Sequence, residues 1–223
     1  VVDLKPYDIT IANKIIEEFM LIANMTIAKK FFFADVPFIY RIHEKPDEEK
    51  LRNLNEILNN YNKRIKINNN LRPKVLSKIL DEIEDEDEKK IVSTFMLRSL
   101  KVAKYSSECD EHFGLAAKYY CHFTSPIRRY PDLFIHRVIS DYLEGNTFIP
   151  DEKLKLYSMQ SVKYAMTSSD MEKNATKIER DFDDLYKTLY MKKYINQVFD
   201  GRISSVTSFG IFVELPNTVE GYV

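Results

Sequence analysis

The side chains best suited to chemistry are gathered between His112 and Arg137, in the run HFGLAAKYYCHFTSPIRRYPDLFIHR. Two guanidiniums, Arg128 and Arg129, follow the hydroxyls of Thr124 and Ser125, and two helix-start signals frame them. Ser125-Pro126 reads as an N-cap and first helical position. Tyr130-Pro131-Asp132 repeats the signal just before the apolar run Leu133, Phe134, Ile135, Val138, Ile139. On either start the arginines lie near a helix N-terminus, and a start at Ser125 would require Pro131 to kink the helix. A helix N-terminus presents unpaired N–H groups and partial positive charge, so guanidiniums and hydroxyls placed there make an anion site suited to phosphate. The competing reading is structural, an Arg-Arg pair bonded to carboxylates such as Asp132 or Asp141.

The elements that must position this run are mostly helical. Periodicity predicts a long helix from about Asp8 to Phe33, capped by Asp8 or Thr10. On a wheel of about 100° per residue, Ile11, Ile15, Ile22 and Met25 share a face with Glu18 in its middle. Glu17 falls instead with Asn13, Asn24 and Ala28 on a small, polar face. A carboxylate on an apolar face is either a rim residue salt-bridged to lysine or a group held beside a metal or a nucleophilic water. Val36 to His43 alternates like a strand, Pro46 closes it, and a helix is expected from Asp47 to Leu58. The asparagine-rich stretch Asn59 to Asn70 reads as loop, followed by helices over Arg72–Ile83 and Glu86–Tyr105. One or two helices fill Asp151 to about Tyr194. From Val198 to Val206 and Phe209 to Glu214 the alternation predicts a hairpin.

Other clusters invite chemistry and fail on spacing. Cys109, His112, Cys121 and His122 suggest zinc, but adjacent residues of a strand point to opposite faces, so Cys121 and His122 cannot easily share an ion. The acidic run Asp81 to Glu88 reads as negative charge at a helix start. His43 reads as structural. Phe113, Tyr119, Tyr120, Phe123 and Tyr130 are core aromatics or, for one or two of them, rings that stack on bases.

The 223 residues are 44% hydrophobic, enough for one sizeable core with a small second module. Lysine plus arginine, 33, nearly cancel aspartate plus glutamate, 34, so any nucleic-acid site must be a local patch. Two cysteines offer no disulfide framework, no apolar run is long enough to cross a membrane, and a cytoplasmic location is expected. The chain opens at Val1, as a fragment would.

The run Phe123-Thr-Ser-Pro-Ile-Arg-Arg-Tyr-Pro-Asp132 with His136-Arg137 resembles, almost residue for residue, the signature of the ribonuclease II and ribonuclease R family. His112-Phe113-Gly114-Leu115-Ala116 and Tyr120-Cys121-His122 look most like the ribonuclease R branch. Ile16 to Asn24 is similar to the family's glutamate-bearing helix, and the "YRIHEKP" piece follows in the family's order. The resemblance implies processive 3′ to 5′ hydrolysis of single-stranded RNA to nucleoside 5′-monophosphates with Mg²⁺. It also implies that Arg128 contacts the scissile phosphate and that Glu17 or Glu18 lines the site. Arg129, Thr124, Ser125, His122 and Tyr130 would support phosphate or the signature's shape. The strands after Val198 resemble the opening of an OB-fold, with Phe209 and Phe212 as its RNA-facing rings. Asp181, Asp183 and Asp184 resemble the family's metal-binding aspartates but stand downstream of the signature. They are expected on a solvated helix face, Asp181 and Asp184 paired with Arg180 and Lys187.

The expectation is therefore an α+β, mainly helical chain. Residues 1–196 form the C-terminal portion of an RNB catalytic domain and 197–223 the first strands of a truncated OB-fold. Its metal ligands are expected upstream and the fragment itself inactive. Single-stranded RNA is the expected partner, with no small-molecule cofactor and a monomeric parent. The alternatives are a non-catalytic RNA-binding or scaffolding protein that keeps the fold, and a plain helical interaction domain.

Overall fold

The computed structural model describes residues 9–67 and 71–223, so the expected cap at Asp8 and the end of the expected loop at 68–70 lie outside the described residues. The chain forms two compact units, one of Ile15–Ser169 and one that joins residues 9–14 to Asp170–Val223. Two helices, α1 (Ile11–Phe33) and α6 (Asp151–Met191), each have residues in both units. Thr10 begins α1, its hydroxyl accepting from the Asn13 N–H at 3.4 Å.

The larger unit holds two apolar cores. In the first, the end of α1 packs with the strand β1 (Tyr40–Ile42), the helix α5 (Tyr130–Glu144) and the start of α6. Ala28, Phe31, Ile39, Phe134, Ile135, Val138 and Ala165 lie at its centre. The second core is built by α2 (Glu48–Asn59), α3 (Pro73–Asp81) and α4 (Glu86–Ser99). Helix α2 follows from its pattern, since Leu51, Leu54, Asn55 and Leu58 are its buried residues at helical spacing. Asn55 also anchors the chain beyond it, accepting from the Ile65 N–H at 2.7 Å and donating to the Ile65 carbonyl at 2.9 Å. The acidic run caps α4, with Asp85 accepting from the N–H groups of Asp87 and Glu88.

Two expectations are corrected here. The helix predicted over Glu86–Tyr105 stops at Ser99, whose hydroxyl donates to the Met96 carbonyl. The chain then enters β2 (Lys104–Ser106), antiparallel to β1 with Arg41 opposite Tyr105. Pairing the edge of β1 outweighs local helical preference there. The apolar face of α1 is also the wrong face for burial. Ile11, Ile15 and Ile22 are exposed, whereas Asn24, Ala28 and Phe31 are buried. Small side chains at positions 24 and 28 let another segment approach the helix closely, and that contact, together with the burial of Phe31 in the first core, sets its orientation.

In the smaller unit α6 ends in a short 3-10 turn (Lys192–Tyr194) and the chain forms an antiparallel meander of β3 (Arg202–Thr207), β4 (Gly210–Glu214) and β5 (Glu220–Tyr222). The first strand starts at Arg202 rather than Val198, which is almost fully exposed. Arg202 donates to Glu214 across the pair at 2.8 Å, fixing the register at its open end. Asp181 and Asp184 are exposed, and their expected ion pairs with Arg180 and Lys187 do not form among the described residues. In water such pairs gain too little to hold long side chains still.

Candidate nucleic-acid interface

The signature is held by a buried carboxylate. Helix α5 starts at Tyr130, with Pro131 in its first turn where a missing N–H costs nothing, so the kink that a start at Ser125 would require does not arise. Ser125 to Arg129 is instead a tight turn, the Arg128 and Arg129 N–H groups both donating to the Ser125 carbonyl. Asp132, fully buried, closes the turn from inside the helix. It accepts the Ser125 N–H at 2.8 Å and the Arg129 guanidinium at 2.7 and 2.9 Å. For Arg129 the structural reading holds: its fork is spent on Asp132. Arg128 differs in that its side chain is exposed and makes no hydrogen bond or ion pair among the described residues. The Thr124 hydroxyl is buried without a hydrogen-bond partner among them.

Helix α1 is clasped to the signature by Asn24. Its amide donates to the Tyr120 hydroxyl at 3.2 Å, its side-chain oxygen accepts the Phe123 N–H at 3.0 Å, and its carbonyl accepts the Cys121 thiol at 3.4 Å. Glu17 lies two helical turns before Asn24 on that same face, about 10 Å along the axis. Glu18 is turned about 100° away. Both carboxylates are exposed.

Beneath the turn runs a ladder of rings. His43 meets His112 at 5.2 Å, His112 meets Tyr120 at 5.2 Å, Tyr120 meets His122 at 5.8 Å, and His122 meets Tyr105 at 5.5 Å. Burial, reinforced by the charges of Arg129 and Arg41, pushes the His122 pKa down to about 3. Burial, with His43 and Arg41 nearby, pushes that of His112 down to about 4. Both imidazoles are therefore neutral near pH ~7. His112 Nδ1 accepts the Leu115 N–H, and the hydroxyl of Tyr105 bonds His122 Nδ1 at 2.9 Å. His122 is thus neutral, with its Nδ1 bonded to Tyr105.

The aromatic residues are now sorted. Phe113 and Tyr120 are buried, Phe123 stacks on His136 at 4.4 Å, and Tyr130 meets Tyr164 edge-on at 4.9 Å. Tyr119 stays partly exposed. In the smaller unit, Phe209 is exposed and Phe212 packs against Tyr222 at 5.5 Å. The Cys109 thiol donates to the Lys118 carbonyl and that of Cys121 to Asn24. Among the described residues, no three His, Cys, Asp or Glu side chains converge as metal ligands. Sequence reasoning missed the roles of Asn24 and Tyr105. A buried asparagine beside alanine on one helix face was the available signal for the first.

Residues 1–145 match the RNB domain family. The chain belongs to the RNB domain family. This RNB chain is 41% identical over 216 residues to ribonuclease R of Thermotoga maritima, covering 97% of the chain and 30% of that relative. It is 37% identical over 211 residues to ribonuclease R of Escherichia coli, covering 92% of the chain and 26% of the relative. Mycoplasma genitalium RNase R in complex with ribose methylated single-stranded RNA matches with a TM-score of 0.90 at 32% identity, over 97% of this chain and 34% of that one. Yeast Ssd1, a pseudonuclease, has the same fold, with a TM-score of 0.74 at 22% identity, so the fold alone does not decide for or against catalysis. The RNB chain spans between about a quarter and a third of the length of these relatives.

Proposed function

We propose that the chain is the C-terminal portion of the catalytic domain of a ribonuclease R-like exoribonuclease, which shortens single-stranded RNA from its 3′ end to nucleoside 5′-monophosphates. The supporting observation is the free Arg128 on a turn that Asp132 and Arg129 hold rigid. A guanidinium carried on a held turn and not neutralised by a carboxylate can offset charge building on a scissile phosphate. Glu17, on the face of α1 that meets the signature, is the better placed of the two glutamates to orient that site. Ser125, Thr124, His122 and Tyr130 support its shape; a phosphate contact by Arg129 would have to use the guanidinium nitrogen that Asp132 leaves free.

In the parent, Mg²⁺ would supply an activated water. The described residues do not fit a magnesium site by themselves, because Glu17 and Glu18 are exposed and no third ligand converges with them. Its ligands are proposed to come from other parts of the protein, and the 223-residue chain alone is expected not to cleave RNA. The same proposal assigns residues 1–196 to the RNB catalytic domain and 197–223, with its three-stranded meander, to the start of an OB-fold RNA-binding module. It takes the parent as a cytoplasmic monomer.

The test is a time course on 5′-labelled single-stranded RNA with Mg²⁺, using the full-length parent. A ladder shrinking from the 3′ end and abolished by EDTA is expected. Tight binding without cleavage would instead make the protein a non-catalytic RNA binder.

A further inference from the structure

The end of α1 carries aromatic rings that the core does not use. Phe32 and Phe33 meet edge to face at 5.4 Å, and Tyr119 packs against them at 4.7 and 5.7 Å. Phe33 is 68% exposed and Phe32 41%. Three exposed lysines lie near them in the chain or the structure: Lys29 and Lys30 about one turn earlier on the helix, the Lys30 ammonium 6.0 Å from the Tyr142 ring centre, and Lys118 beside Tyr119. The Lys118 ammonium stands 5.3 Å from the Tyr119 ring centre. None of the three lysines forms an ion pair among the described residues. The nearest carboxylates in the chain are Asp35 for Lys29 and Lys30 and Glu111 for Lys118, and Glu111 already pairs with Lys45 at 3.4 Å.

Open rings among unneutralised ammonium groups are the chemistry of a surface for single-stranded nucleic acid, where bases stack and phosphates meet the cations. Bare positive charge beside the rings favours a polyanion over an uncharged apolar segment. Tyr119 is also tied to the signature, because it precedes Tyr120, which Asn24 holds. We propose that Phe32, Phe33 and Tyr119 form a base-stacking platform for single-stranded RNA, with Lys29, Lys30 and Lys118 contacting its phosphates. It is a binding site in addition to the Arg128 turn. The proposal rests on the RNA reading above.

The chain has no tryptophan, so Phe33→Trp places one reporter in the platform. Fluorescence titrations of the 223-residue protein would compare single-stranded oligoadenylate with an abasic oligomer of equal length. Oligoadenylate should quench the Phe33→Trp emission and the abasic oligomer should not. Phe33→Ala should weaken oligoadenylate binding roughly tenfold and leave abasic binding nearly unchanged. Lys118→Ala should lower the salt dependence of binding by about one counterion. Equal affinities of the wild type and Phe33→Ala for oligoadenylate, or an emission that saturating RNA leaves unchanged, would overturn the platform. The RNA reading would survive, and the rings would become a contact for protein. No oligoadenylate binding by the wild type would overturn the platform, and the RNA reading would then be decided by the time course on the full-length parent.

Discussion

Arg128 and Arg129 are neighbours in sequence and opposites in structure. Arg129 has a side chain only 17% exposed and gives its fork to a carboxylate that water does not reach, while Arg128 stands in solvent without a partner. The two sit on one turn, so the difference comes from direction: the chain reverses after Ser125, and only position 129 can reach back under the helix to Asp132. The buried half of the signature is the frame and the exposed half is free to meet a ligand.

The largest effect should come from the frame. Asp132→Ala would leave Arg129 and the Ser125 N–H without their acceptor, and urea unfolding should show a loss of about 3–5 kcal/mol. A loss below about 1 kcal/mol would mean that the turn holds itself. Asn24→Ala strands the Tyr120 hydroxyl and the Phe123 N–H, at a cost of about 1–3 kcal/mol, and should loosen α1 from the signature. Slower amide exchange at Phe123 in that variant would contradict the clasp.

The half-buried His112 and His122 give the frame a pH dependence. In the unfolded chain they take up protons near pH 6.5, whereas folded His112 and His122 do so only near about 4 and about 3. Their neutral forms therefore contribute stability that is complete above about pH 6.5 and is lost as pH falls toward 3. Thermal midpoints should drop over that window, less steeply in His122→Gln. Parallel curves for the two proteins would place the acid sensitivity elsewhere. The smallest stability effect belongs to Arg128→Ala, within about 0.5 kcal/mol, as for an unpartnered surface side chain.

Much of this fold could be read from the sequence, because α2 repeats its leucines at helical spacing, Asp85 precedes an acidic first turn, and Pro131 marks the start of α5. The signature also announced its arginines. Which arginine was free could not be read, since Arg-Arg before Tyr-Pro-Asp is compatible with either side chain reaching Asp132. Helix α1 misled for a physical reason. Its isoleucines suggested a core face, yet its burial is set by close approach at Asn24 and Ala28, a long-range contact with residues 120–123 that no local pattern encodes. Tyr105 was misplaced likewise, its strand existing only because β1 lies beside it.

The most direct test of the division between the two arginines is single-turnover cleavage and RNA affinity of Arg128→Ala in the full-length parent. Turnover should fall roughly 10²- to 10³-fold while affinity changes little, because a guanidinium that meets the scissile phosphate as proposed would act chiefly on the transition state. Equal losses in rate and affinity would make Arg128 an ordinary phosphate contact and contradict its role in the chemistry.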